Sequence, residues 1–127
     1  MGDSAGGNLS LALSLRLVRA GLQPPHGCLL LYPAVLIDSH ATSPSSFASL
    51  DETILPTSLL RLCVKAYVGE EGFKPLEDPF ISPLVASDEL LEKLPPVRLV
   101  VGSKDPLHDD SWRFLARLKY QANLFVF

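Results

Sequence analysis

The sequence predicts an α/β fold around a parallel sheet, and three observations carry that prediction. Two short runs read as strands: Gly27–Tyr32, continuously apolar and so suited to the middle of a parallel sheet, and Val97–Val101 (V-R-L-V-V), the next strand. A leucine-rich segment from Ala5 to Leu22 precedes the first run, as a helix joining parallel strands does. At the head of that segment stands Gly2-Asp3-Ser4-Ala5-Gly6, a serine bracketed by glycines where a strand would turn into a helix.

That G-x-S-x-G pattern is the nucleophile elbow of α/β-hydrolases. A serine on such a bend is held in a strained backbone with its hydroxyl directed away from the sheet. A Cβ at either flank is expected to strike the neighbouring strand or helix, hence Gly2 and Gly6. The helix that follows aims its N-terminus at the reaction centre, and the N–H of Ala5 is placed to receive a developing oxyanion. The alternative reading makes Gly2–Asn8 a surface turn that caps a helix.

The chain has 127 residues, enough for one domain, yet 47% are hydrophobic and only 20% charged. This balance suits segments covered by partners outside the stretch, and an elbow normally follows several strands. Residues 1–127 are therefore expected to be a partial catalytic domain, cut at both ends. A net charge of −3 supplies no basic footprint for nucleic acid. No apolar run approaches the roughly 18 residues of a transmembrane segment, and no signal peptide is visible. Cys28 and Cys63 lack metal-site spacing and are expected as small apolar residues in a strand and a helix, in a reducing, cytoplasmic setting.

Each further element has its own signal. Gly21 ends the first helix and Pro24-Pro25 forbid its continuation. Gly27–Tyr32, closed by Pro33, suits a central strand; His26 at its mouth reads as a solvated loop residue. Ser39–Ser49 reads as a serine-rich loop. A helix is expected over Thr57–Tyr67, capped by Thr57 or Ser58, stopped by Gly69, with Leu59, Leu60, Leu62, Cys63, Val64 and Tyr67 on its buried side. Glu70–Pro83 is loop, and Ser87 caps a short helix over Asp88–Leu94. Residues 33–96 far exceed a plain crossover, so they are expected to form a cap-like insertion that shapes a pocket; the alternative is a decorated crossover with an extra packing helix.

Val97–Val101 is the next strand, and Gly102 ends it. In α/β-hydrolases the triad runs serine, acid, histidine along the chain. Asp105, in the loop after this late strand, is the candidate acid that would hold the histidine's tautomer and stabilise the imidazolium. It lies nearer the strand end than Asp109 and Asp110, which fall in the next helix's first turn. The alternative is that Asp105 only caps that helix, expected over Leu107–Gln121 with Trp112, Leu115, Ala116 and Leu118 on one face. Leu124–Phe127 opens another strand, after which the triad histidine is expected. His108 is too close to Asp105 to be the base, and His40 reads as solvated.

Taken together, these stretches resemble one family. Gly2–Leu9 is similar to the elbow of the hormone-sensitive lipase family of esterases and lipases, and Asp105–Asp110 resembles its D-P-L/M-x-D segment. Ser43-Pro44-Ser45, Leu62–Tyr67, Asp78–Leu84 and Leu94–Val97 resemble the lipase members more than the smaller esterases. The likeness covers nearly the whole chain, as a piece of the family's C-terminal half. It implies Ser4 as nucleophile, Asp105 as triad acid and Ala5 as an oxyanion donor, with acylation and deacylation of the serine and no metal or cofactor. The implied substrates are acylglycerols, sterol esters or retinyl esters, with lipid catabolism at the cytosol and lipid-droplet surface.

Two family parts, the upstream His-Gly-Gly oxyanion segment and the histidine, do not occur in these residues. The stretch alone is thus expected to be nearly inert. The family's mammalian lipases also carry a phosphorylated regulatory insertion where Tyr67–Asp78 forms a short bridge, so phosphorylation control is not expected to carry over. Two further function classes remain open at this level. One is a small-ester or arylacetamide esterase; the other is a truncated product acting only by interaction.

Overall fold

The computed structural model describes residues 1–38, 43–48, 55–69 and 74–120. In chain order these form β1 (Gly2–Asp3), α1 (Ser4–Arg19), β2 (Cys28–Leu31), α2 (Pro44–Ala48), α3 (Thr57–Val68), a 3-10 turn (Pro83–Val85), α4 (Asp88–Leu91), β3 (Val97–Val100) and α5 (His108–Tyr120). The strands form a three-stranded sheet in the order β1-β2-β3. All are parallel, with Asp3 opposite Leu31 and Leu31 opposite Val100. The expected α/β architecture with a central β2 is what the chain adopts. The expected strand over Leu124–Phe127, the turn before it and His40 lie outside the described residues.

The helix boundaries follow backbone chemistry. α1 ends in a Schellman arrangement: Leu22 N–H donates to Leu17 O at 2.9 Å and Gly21 N–H to Val18 O at 3.0 Å. Gly21 at φ +68° supplies the left-handed residue this needs. α3 stops at Gly69, φ +79°, but its N-cap is Pro56 rather than Thr57 or Ser58, without a side-chain cap. The expected Ser39–Ser49 loop contains the one-turn helix α2, because Ser43 Oγ accepts the N–H of Ser46 at 3.3 Å and so caps it. Ser87 begins α4 through backbone geometry, without a side-chain cap, and that helix closes at Leu91.

The main core joins α1 (Leu11, Leu15), β2 (Cys28, Leu30), β3 (Val97) and α5 (Phe114, Leu118). Val35, Leu84, Ala86, Leu91 and Leu94 complete it, so the distal part of the 33–96 stretch packs into the centre. A second cluster holds Ala34, Ile37, Val64, Ile81 and Leu107, with Leu60 and Val68 against it. Among the described residues, α3 therefore makes its apolar contact with the body along one line, Leu60, Val64 and Val68, spaced four residues apart. Leu59, Leu62, Cys63 and Tyr67, expected inside, are exposed. The reason is that a helix packed on one side buries one stripe.

Other burial expectations also shift. On α5 the inward face is Ser111, Phe114, Leu115 and Leu118, whereas Trp112 is 51% exposed. Ala116 is exposed as well. On the sheet, Cys28, Leu30 and Val97 are buried and Leu99 packs against them. Leu29 and Val100, at 37% and 56% exposure, stand on the face left open among the described residues, so continuous apolarity does not mean two covered faces here. No described helix is long and apolar enough to cross a membrane.

Candidate active site

Ser4 sits where β1 becomes α1, and its φ is +46°, the left-handed region an L residue occupies only when held there. Gly2 permits this bend. A Cβ on it would lie 2.2 Å from Gly6 O and 2.7 Å from Ser10 Oγ, inside the first turns of α1. Gly6 is different, since a Cβ there meets only Asp3 Oδ1, at 3.4 Å. The second close approach belongs instead to Gly7, whose added Cβ would be 2.7 Å from Pro33 Cβ. The expected collision thus applies to Gly2 and Gly7, not to Gly6. Ala5, exposed, is the second residue of α1, so its N–H has no acceptor within the helix.

Parallel register brings the serine and the candidate acid to one edge. Ser4 follows β1, Tyr32 follows β2 and the loop carrying Asp105 follows β3, all at the strands' C-terminal ends. With strands 4.7–4.9 Å apart, the ends of β1 and β3 are separated by about 10 Å. Asp105 Oδ1 accepts the N–H of Leu107 at 2.8 Å and Asp105 O that of His108 at 3.0 Å. Its carboxylate thus caps the turn into α5, as the alternative reading required. Capping uses one carboxylate oxygen and leaves the other for a further donor.

The loop after β3 is itself pinned by α2. Ser45 Oγ and Ser46 Oγ donate to Pro106 O at 2.9 and 3.2 Å, and Ser45 N–H donates to Asp109 Oδ2 at 2.7 Å. That backbone donor, above all, holds the Asp109 carboxyl below its ordinary value, with His108 assisting. Burial pushes neighbouring Asp110 the other way, against its pairing with Arg113 Nη1 at 3.1 Å. Trp112 Nε1–H donates to His108 Nε2 at 2.9 Å, which leaves Nδ1 carrying the hydrogen toward Asp109 Oδ1 at 3.3 Å. Both ring nitrogens of His108 are thereby engaged. His26 is exposed.

A cleft of about 200 Å³ lies beside these residues. Ala34, Ile37, Leu60, Val64 and Leu107 make its apolar wall, and Asp109, Asp110 and Arg113 its polar end. Neither Ser4 nor Asp105 lines it, but each is hydrogen-bonded to a residue that does. Ala34 N–H donates to Ser4 O at 3.2 Å, and Leu107 N–H to Asp105 as above. Among the described residues, no group of three or more His, Cys, Asp or Glu side chains is arranged to hold a metal ion. Sequence reasoning passed over Asn8, a buried amide contacting the turn after β2. Its signal was a polar residue on the stripe Asn8, Leu11, Ala12, Leu15, the inward face of α1.

Comparison with known proteins agrees with the fold. Residues 1–125 match the family described as alpha/beta hydrolase fold. Hormone-sensitive lipase of Mus musculus is 46% identical over 81 residues, covering 64% of this chain and 10% of that protein. An esterase of Acinetobacter venetianus is 40% identical over 114 residues, covering 89% of this chain and 35% of the esterase. The crystal structure of carboxyl esterase 2 from the mycorrhizal fungus Tuber melanosporum superimposes with a TM-score of 0.83 at 29% identity. It is matched over 98% of this chain and 40% of its own. The chain therefore spans about a tenth of the lipase and about a third of the bacterial esterase.

Proposed function

The chain belongs to the α/β hydrolase fold family, and from that premise we propose that it carries the nucleophile and acid of a serine carboxylic-ester hydrolase. The single observation that carries the reading is Ser4, held at φ +46° on the bend between β1 and α1. In the proposed reaction Ser4 Oγ attacks the ester carbonyl while a histidine from sequence outside residues 1–127 takes its proton. The tetrahedral oxyanion receives the N–H of Ala5. The alkoxide then leaves with the proton returned by the imidazolium, and water repeats the sequence on the acyl-serine. Asp105 orients the imidazole and stabilises its charged form. No step calls for a metal or cofactor.

The proposed substrates are lipid esters, acylglycerols or sterol esters, turned over in lipid catabolism at the cytosolic lipid-droplet surface. Similarity to hormone-sensitive lipase supports this choice. Residues 33–96 supply the cap, and the part free to act so is α2 and α3 over the cleft, since the 3-10 turn and α4 belong to the main core. A second reading, hydrolysis of small soluble esters, is supported by the Acinetobacter esterase's match across 89% of this chain.

The test is the full-length protein with Ser4→Ala and Asp105→Asn, assayed on diacylglycerol emulsions and on soluble nitrophenyl esters. Loss of at least about 1,000-fold in kcat for Ser4→Ala is expected. Unchanged hydrolysis would overturn the proposal, and the ratio of emulsion to soluble rates separates the two substrate classes.

A further inference from the structure

Asn8 is 2% exposed and stands on the buried stripe of α1, one turn after Ser4. A carboxamide there is costly unless its hydrogens are used. Both are: Nδ2 donates to Ala34 O and to Ile81 O, each at 2.7 Å. These carbonyls belong to separate segments, the turn after β2 and the stretch ahead of the 3-10 turn. Ala34 in turn donates its N–H to Ser4 O at 3.2 Å. One peptide-length unit thus receives from Asn8 at its carbonyl and gives to Ser4 at its amide. Pro33, next to it, is packed against Gly7, where a Cβ would approach to 2.7 Å.

A left-handed serine persists only where its surroundings over-determine it. Around Ser4 that determination comes from the 32–34 turn, and the turn is fastened by Asn8. The residue's other atom supports the reading. Asn8 Oδ1 finds no hydrogen-bond partner among the described residues. A leucine would fill the same space with no orphaned acceptor, so packing alone does not call for asparagine. An aspartate would set acceptors against two carbonyl oxygens. What the position requires is two donors diverging from one side chain.

We propose that Asn8 is a positioning residue for the nucleophile: it clamps the Ala34 and Ile81 carbonyls and so holds Ser4 in its reactive backbone. This rests on Ser4 being the nucleophile, as proposed above. The experiment measures kcat, KM and the rate constant of fluorophosphonate labelling for Asn8→Ala and Asn8→Asp in the full-length protein, with Ser4→Ala alongside. Rates are taken per labelled site, at a temperature where circular dichroism gives each variant as folded; Asn8→Ser replaces any variant that does not fold. The expected result is a fall in kcat and in labelling rate of about 10- to 100-fold with KM within about twofold, the signature of a misplaced reacting atom. Folded variants whose kcat and labelling rate stay within about twofold of the parent would overturn the proposal while leaving the nucleophile in place. Hydrolysis that survives Ser4→Ala would overturn both.

Discussion

Ser4 and Tyr32, which follow the register partners Asp3 and Leu31 on adjacent parallel strands, both hold left-handed backbones, at φ +46° and +36°. Neither is glycine, and in the proposed mechanism Ser4 carries a role that glycine could not. For Ser4 the strain is separable from the hydroxyl. Ser4→Gly should relieve about 1–2 kcal/mol of backbone strain and lose about 0.5–1 kcal/mol to unfolded-state entropy. We expect a net gain of roughly 0.5–1 kcal/mol in urea denaturation, with esterase activity abolished.

The glycines around the elbow should divide sharply. Gly2→Ala and Gly7→Ala force a methyl against Gly6 O and Pro33, and each is expected to cost about 1–3 kcal/mol. Gly6→Ala meets only Asp3 Oδ1 at 3.4 Å and replaces a glycine inside a helix, so it should be neutral or stabilising by up to about 1 kcal/mol. Denaturant midpoints of the three variants decide this; equal losses at all three positions would refute the distinction.

Asp109 and Asp110 are sequence neighbours with opposite pH signatures. Asp109 titrates below its unfolded value, so the stability it adds is in place above that value and is lost as pH falls through the folded one. Asp109→Ala should flatten the acid side of the stability curve. Asp110 titrates above its unfolded value because it is buried, so stability is complete below that value and declines as pH rises through the folded one. Asp110→Asn should remove this decline. Urea midpoints measured from acid to neutral pH check both signs.

Local signals in the sequence located the elements well. Glycine at a left-handed C-cap, proline at a helix boundary and an apolar run are properties of a few adjacent residues, and α1, β2, α3, β3 and α5 all fall where those signals stand. Burial was harder, because it depends on which neighbour arrives. Leucines at 59 and 62 look as inward as Leu60 until one knows that α3 rests on a single partner face. Phe114 was missed for the same reason: the α5 stripe that includes it is shifted from the one centred on Trp112. At the candidate site, Ser4 and Asp105 stand out by motif and chain order and Asn8 as a polar residue on an apolar stripe, whereas what Asn8 binds does not. Its partners, Ala34 and Ile81, are 26 and 73 residues away.

The narrow seat of α3 has a kinetic meaning. Among the described residues its apolar contacts are Leu60, Val64 and Val68, none of them in the main core, so this helix should detach as a subglobal unit while α1 and β2 stay protected. Native-state hydrogen exchange should give its amides a lower opening free energy than those of Leu11 and Leu15, and Val64→Ala should lower it further without touching α1. Entry to the cleft would then be governed by the population of a partly unzipped state, and a bulky guest could be admitted at the cost of one weakly docked helix, with the β-framework left unmoved.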